Sequence, residues 1–295
     1  MYWNMFKKII YIYIYIYIYK MIPKLVHNIW IQGYNNLPEN LKTSYNNIKE
    51  LNPEWKFIFW HENMIIDLLK KYPNIYKVYQ NIENLPGLLN ILALKSDIAR
   101  YIIMKKYGGL YFDLDFICRA SFNNLFNKKK YKDYTIFIAS SKIDFLDYIY
   151  PFSKPKYCSC FMAFKKEHPI WNKVFDIILK ATNAYEIGSA LDISLQNSNE
   201  YKIIVLNQIN GHYKCKNQKS ICYTPVESSW NFIRPILQFI NCNHIQIFFI
   251  FAILIIFAIF YILKYYNAVL LRNMHIIKSI KRKKNDIIYK FINTI

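Results

Sequence analysis

Asp113 and Asp115, separated only by Leu114, are the residues of this chain best suited to chemistry. On extended backbone, positions i and i+2 face the same way, so two carboxylates at that spacing converge on one point. Hard oxygen donors of this kind suit Mg2+ or Mn2+, which prefer octahedral oxygen shells and keep positions open for phosphate oxygens. The flanks Tyr111-Phe112 and Phe116-Ile117 are apolar and would strengthen the field of the pair by burying it. A second polar constellation, Ser96-Asp97-Ile98-Ala99-Arg100, precedes the first. On a helix Asp97 and Arg100 share a face and pair. At a solvent surface such a pair is worth little. Here Gly108-Gly109 hands the same helix directly to the acidic pair, which places Asp97 and Arg100 near it, within reach of sugar or ribose hydroxyls.

Apolar spacing alternates between strand-like and helix-like periods over residues 22–235. Lys24–Ile31 and Trp55–Trp60 read as strands, and Glu62–Tyr72 as a helix stopped by Pro73. After the Pro86-Gly87 break, Leu88–Tyr107 reads as a helix. Its inward stripe is Ile91, Leu94, Ile98 and Ile102, and Gly108 closes it. Leu110–Asp113, Thr135–Ala139, Cys158–Phe164 and Ile203–Leu206 read as further strands. His168-Pro169 opens another helix with Ile170, Val174, Phe175, Ile178 and Leu179 inward. Strands alternating with helices predict an α/β sandwich on a mostly parallel sheet.

Two apolar segments flank this domain. Residues 1–21 contain the low-complexity run Ile9–Tyr19, eleven residues between Lys8 and Lys20. That is short for a spanning helix and reads as a signal sequence or marginal signal anchor rather than a functionless repeat. Ile245–Leu263 carries no charge and, at 1.5 Å per residue, reaches about 28 Å, close to the bilayer core. Lys264, Arg272, Lys278 and the Lys281-Arg282-Lys283-Lys284 cluster follow it in a basic tail, residues 264–295. The positive-inside rule places that tail in the cytosol and the preceding domain in a lumen.

The formal charge of +20 suggests a polyanion, but its lysines are dispersed and no nucleic-acid motif accompanies them. A nucleic-acid partner is therefore not expected. Buried free thiols are the expected state of Cys118, Cys158 and Cys160; Cys215 and Cys222 flank a polar stretch and would close a loop in an oxidising lumen. His27, His61 and His168 are scattered and read as structural. No Gly-rich phosphate loop, nucleophile elbow or Cys/His pair is present.

Taken in order, Ile22-Pro23-Lys24-Leu25-Val26-His27-Asn28-Ile29-Trp30, Ser96-Asp97-x-x-Arg100-Tyr101 and Tyr107-Gly108-Gly109-Leu110-Tyr111-x-Asp113-x-Asp115 resemble glycosyltransferase family 32. The resemblance is dense over residues 22–118 and thinner to about 232. It implies a GT-A-type nucleotide-diphospho-sugar transferase fold, here with a C-terminal transmembrane helix, and a retaining, metal-dependent reaction with Mn2+ or Mg2+. The implied roles are Trp30 stacking on the nucleobase and Asp97 and Arg100 gripping the transferred sugar. Asp113 would contact ribose and the metal's water shell, and Asp115 would ligate the metal. Glu227-Ser228-Ser229-Trp230 resembles the element that closes over the diphosphate, with Ser229 and the Trp230 indole N–H as donor-binding groups.

Family members with a hydrophobic N-terminus, a lumenal domain and a C-terminal span are the inositol-phosphoceramide mannosyltransferases. The expected partners are thus a nucleotide-sugar donor, GDP-mannose first, and a lipid or glycan acceptor at a Golgi or ER membrane, with room for a regulatory subunit. Two family features are missing. Thr224-Pro225-Val226 stands where many members have a His, and Ile187-Gly188-Ser189-Ala190 is the nearest match to a Thr-Gly-Pro element. These departures keep open a second reading, a membrane-anchored binding or scaffold protein on a catalytically decayed transferase domain.

Overall fold

The structure, a computed structural model, describes residues 22–87, 90–126, 134–140, 157–206, 209–210, 220–224 and 233–292. The chain divides into two compact units, Met1–Cys242 and Asn243–Ile295.

The first unit is built on a six-stranded sheet. Its strands are β1 (Leu25–Ile29), β2 (Lys56–Trp60), β3 (Gly109–Phe112), β5 (Ile136–Ser140), β6 (Tyr157–Phe164) and β7 (Ile203–Val205), in the order β2-β1-β3-β6-β5-β7. β4 (Ile117–Cys118), β8 (Ile209–Asn210) and β9 (Cys222–Tyr223) form a second, three-stranded sheet. The large sheet is mixed: three of its five pairings are parallel, and β6 runs antiparallel to both neighbours. That reversal matters for function. It sets the start of β6 beside the C-terminal ends of β1 and β3, with Phe112 opposite Phe161 and Gly109 opposite Phe164.

Alternation along each strand divides the interior into two cores. Leu110, Phe112, Phe161 and Ala163 pack on one face with Phe116, Phe122 and Ile48. Tyr111, Met162 and Phe164 pack on the other with the helices. The helices are α1 (Glu39–Glu50), α2 (Glu62–Leu69), α3 (Pro73–Gln80), α4 (Ile91–Tyr107), the one-turn α5 (Asn123–Phe126), α6 (Ile170–Lys180), α7 (Ala184–Gly188), α8 (Ala190–Gln196) and α9 (Ile233–Ile292).

Helix α4 departs from the single stripe its spacing suggests. Ile91 is exposed, whereas every residue from Ile98 to Met104 is buried, because α4 touches the sheet on one side and α2, α6 and α7 on others. Over Ile98–Met104 the helix is covered on every side and apolar to match, and Arg100 is the charged residue within that stretch. In α6, Ile170, Val174, Phe175 and Ile178 are inward, but Leu179 is 46% exposed and faces outward. Pro73 does not merely stop α2; it occupies the first turn of α3, where a missing N–H costs nothing.

The junction between α4 and β3 depends on two glycines with positive φ, Gly108 (63°) and Gly109 (96°). A Cβ on Gly109 would lie 2.5 Å from the Leu25 carbonyl oxygen, so only glycine lets β3 close on β1 here. His27 secures the junction. Its Nδ1 accepts from Trp60 Nε1–H (3.1 Å), which leaves Nε2–H to donate to the Gly108 carbonyl (2.9 Å). The structural reading of this histidine is therefore the observed one.

Burial, partly offset by the Gly108 hydrogen bond, pushes the His27 pKa down to about 4. Burial, with Lys165 adding to it, does the same to His168. Both imidazoles are neutral in the fold, and in the unfolded chain they protonate near pH 6.5. Their contribution is full above pH 6.5 and is lost as pH falls toward 4, by about 3 kcal/mol for His27. Melting temperature should fall steadily across that window, and imidazole 15N shifts should show His27 still neutral at pH 5. An imidazolium at pH 6 would contradict the buried arrangement.

The cysteines differ from expectation. Cys118 and Cys222, partners across the β4–β9 pairing, are disulfide-bonded, and so are Cys158 and Cys160. Cys222 is thus not joined to Cys215, which lies outside the described residues, and no described cysteine is a free thiol. The expectation of free thiols rested on apolar surroundings, which suit a buried disulfide equally well.

In the second unit, Ile245–Asn267 is a stretch of α9 long and apolar enough to cross a membrane, with none of its apolar window buried. The N-terminal run 9–19 lies outside the described residues.

Candidate active site

A cleft of about 700 Å³ opens where β1 and β3 end and β6 begins. Trp30 lines it just past β1, Asp97 and Arg100 reach it from α4, and Asp113 and Asp115 from the turn after β3. Pro38 and Leu41, from the start of α1, form the wall beside Trp30. Crevices at the carboxyl ends of strands are where α/β sheets bind ligands.

The two acids converge by a different route from the one their spacing suggests. β3 ends at Phe112. Asp113 still extends the ladder, its N–H donating to the Cys160 carbonyl (2.9 Å), but Leu114 and Asp115 form a turn closed by Phe116 N–H on the Asp113 carbonyl (3.2 Å). Leu114 fixes that turn by packing its side chain against Leu37 and Tyr45. A turn, not a pleat, brings Asp115 back to the cleft. Asp113 does share a strand face with Tyr111, whose hydroxyl donates to Asp113 Oδ1 (2.7 Å).

Arg100 is the centre of the charge network. Its Nη2 lies 3.1 Å from Asp97 Oδ1 and its Nη1 3.4 Å from Asp113 Oδ1. Nη1 also donates to the Ser159 carbonyl and hydroxyl oxygens, both at 3.2 Å. The guanidinium carbon sits 4.9 Å from the centroid of the Tyr111 ring. Burial pulls the Arg100 pKa down, but Asp113, Tyr111 and Asp97 outweigh it and hold the cation above its usual range. Burial pushes Asp97 up to about 6, against the pull of Arg100 and with repulsion from Asp113 adding to the rise. The pair is a buried one, not the surface salt bridge of the alternative reading.

The donor set bears on a metal. Among the described residues no group of three or more His, Cys, Asp or Glu side chains is placed to hold an ion. Asp113 and Asp115, which both line the cleft, would hold a divalent cation, whose chemistry leaves room for phosphate oxygens and water beside one or two carboxylates. Mg2+ is commonly held in that way, so the residues present fit the group. Thr224 is buried. Ser229 and Trp230 lie outside the described residues. Spacing pointed to the Asp97–Arg100 pair; Ser159 it missed, because only the antiparallel placement of β6 brings that residue to α4.

These features define the class: a mixed α/β domain whose cleft gathers one guanidinium and three carboxylates at a single end of the sheet. Residues 38–132 match the family described as glycosyltransferase sugar-binding region containing DXD motif. An uncharacterized glycosyltransferase of Acanthamoeba polyphaga mimivirus is 37% identical over 106 residues, 34% of this chain and 38% of that protein. Inositol phosphoceramide mannosyltransferase 1 of Schizosaccharomyces pombe is 29% identical over 115 residues, 36% of this chain and 32% of that protein. The chain thus spans well under half the length of these relatives. Among solved structures, the PaToxG glycosyltransferase superposes with a TM-score of 0.43 at 18% identity, covering 65% of this chain and 77% of that one.

Proposed function

We propose that this chain is a membrane-attached, retaining glycosyltransferase that uses a nucleoside-diphosphate sugar and a divalent cation. The first donor to test is GDP-mannose, and the first acceptor inositol phosphoceramide. The observation that carries this reading is the convergence of Asp97, Arg100, Asp113 and Asp115 on one cleft, within a region that matches a DXD sugar-binding family.

In this reading Trp30 stacks on the nucleobase against the Pro38–Leu41 wall. Arg100, held between Asp97 and Asp113, presents a fixed cation to the sugar hydroxyls. Asp113 and Asp115 hold Mn2+ or Mg2+, which when bound supplies charge stabilisation to the departing diphosphate. Ser229 and Trp230 close over the same diphosphate. No protein nucleophile is invoked; the acceptor hydroxyl attacks from the leaving-group face.

The compartment follows from charge and redox chemistry together. The basic residues after Ile245–Asn267 keep the tail in the cytosol, and a domain with disulfides belongs on the other, oxidising side. A lumenal domain joined by a short segment to its span suits an acceptor carried in the bilayer. GDP-mannose, inositol phosphoceramide and the Golgi or ER lumen are drawn from the family resemblance and the similarity to the inositol phosphoceramide mannosyltransferases.

The test uses the full chain in lipid nanodiscs with MnCl2, a panel of GDP- and UDP-sugars, and inositol phosphoceramide. Metal-dependent hydrolysis of one donor and a mannosylated lipid product are expected. Thr224-Pro225-Val226 and Ile187-Gly188-Ser189-Ala190, in place of the His and Thr-Gly-Pro of the resembled family, favour a second reading, the non-catalytic sugar-nucleotide binder. Donor binding without turnover would select that reading, and absence of donor binding would reject both.

A further inference from the structure

Cys158, Ser159 and Cys160 lie at the start of β6 and line the cleft. In a regular strand, residues two apart are separated by about 6.6 Å. Here the Cα atoms of Cys158 and Cys160 are 5.1 Å apart and their sulfurs are bonded. The strand is bent at this point, and its register with β5 shows it. Ile138 pairs with Met162 and the next residue, Ala139, with Cys158, so residues 159–161 stand outside the β5–β6 ladder.

What the bent segment presents is specific. Ser159 turns both its carbonyl and its hydroxyl oxygen to Arg100 Nη1, each at 3.2 Å. The next carbonyl, that of Cys160, accepts from Asp113 N–H at 2.9 Å. Three acceptors on two consecutive residues thus fix the guanidinium and one acid of the turn. Ser159 faces α4, while Cys158 and Cys160 on either side of it pack into the core on the other face of the sheet, so the bond between them closes behind Ser159.

We propose that Ser159 is a positioning residue for Arg100, and that the Cys158–Cys160 disulfide holds it in place, so that the cleft grips the transferred sugar fully only when this pair is oxidised. The proposal rests on the transferase reading above. Reduction by a dithiol breaks the S–S bond and delivers two electrons and two protons to give two thiols, while the reductant becomes a disulfide. The freed strand relaxes toward the regular pleat and withdraws the Ser159 oxygens from Arg100.

The experiment compares the full chain in nanodiscs with the Cys158→Ser/Cys160→Ser double variant, Ser159→Ala and Ser159→Thr. Genetic removal of the bond leaves Cys118–Cys222 intact, which a reductant would not. Calorimetry with Mn2+ reads affinity for GDP-mannose and for GDP separately, donor hydrolysis reads turnover, and peptide mass spectrometry establishes the 158–160 linkage. Loss of a charge-assisted hydrogen bond corresponds to about tenfold. We expect GDP-mannose affinity and hydrolysis to fall by about that factor in the double variant and in Ser159→Ala. GDP affinity should stay within about twofold, and Ser159→Thr should recover most of the loss. Equal losses for GDP and GDP-mannose would mean a merely structural role and overturn the proposal, as would an unchanged double variant or free thiols in the native protein. A wild-type chain that binds neither ligand would instead defeat the transferase reading itself.

Discussion

Asp115→Ala is expected to reduce metal-dependent donor hydrolysis by about a hundredfold to a thousandfold, the scale seen when a preorganised group facing developing charge is removed. Asp115 sits in a turn whose shape is fixed from elsewhere, by Leu114 against Leu37 and Tyr45 and by Phe116 N–H on the Asp113 carbonyl. Truncating its side chain therefore leaves the turn standing and removes one of the two carboxylates proposed to hold the cation. Melting temperature should change little while turnover is lost; donor hydrolysis in Mn2+ beside a thermal melt checks both.

Arg100→Ala should be worse for the protein as a whole. The guanidinium is about one-tenth exposed and serves Asp97 through one nitrogen and Asp113 and Ser159 through the other. Deleting it leaves two partly buried carboxylates facing each other without a cation, at a cost of about 3–5 kcal/mol. Arg100→Lys separates the two effects. A single ammonium keeps the charge but cannot reproduce the fork, so most of the stability should return while donor hydrolysis stays about a hundredfold down. Chemical denaturation and donor hydrolysis on the two variants read these outcomes; full activity in Arg100→Lys would mean that charge alone suffices.

The sequence marks the elements that position this cleft with uneven clarity. β1, β2, β3, β5 and β6 are short apolar runs between breakers, and α4 is long and ends at Gly108; local composition alone reveals them. Helix α1 is harder because it is mostly polar, yet Leu41, Tyr45 and Ile48 carry a helical spacing behind Pro38. Helix α3 was hidden by a proline that both ends one helix and begins the next. The small sheet of β4, β8 and β9 has strands of two residues each, too short to show a period, and it exists because distant segments meet.

The cleft follows the same division. Asp97 and Arg100 are visible as a pair because one helix turn separates them, and Asp113 and Asp115 because they are nearly adjacent. How Asp115 reaches the cleft was not legible, since the turn at Leu114 depends on packing against residues some seventy positions earlier. The disulfides were equally out of view. Cys118 meets Cys222 only through the β4–β9 pairing, and Cys158 meets Cys160 only because β6 bends.

The central claim, that the acid turn holds a divalent cation together with a nucleoside diphosphate, is open to direct measurement by Mn2+ electron paramagnetic resonance on the full chain. With GDP present, the signal of free Mn2+ should be depleted to one equivalent by the wild-type protein. It should return when both acids are replaced as Asp113→Asn and Asp115→Asn. An identical depletion by the double variant would place the cation elsewhere and contradict the account.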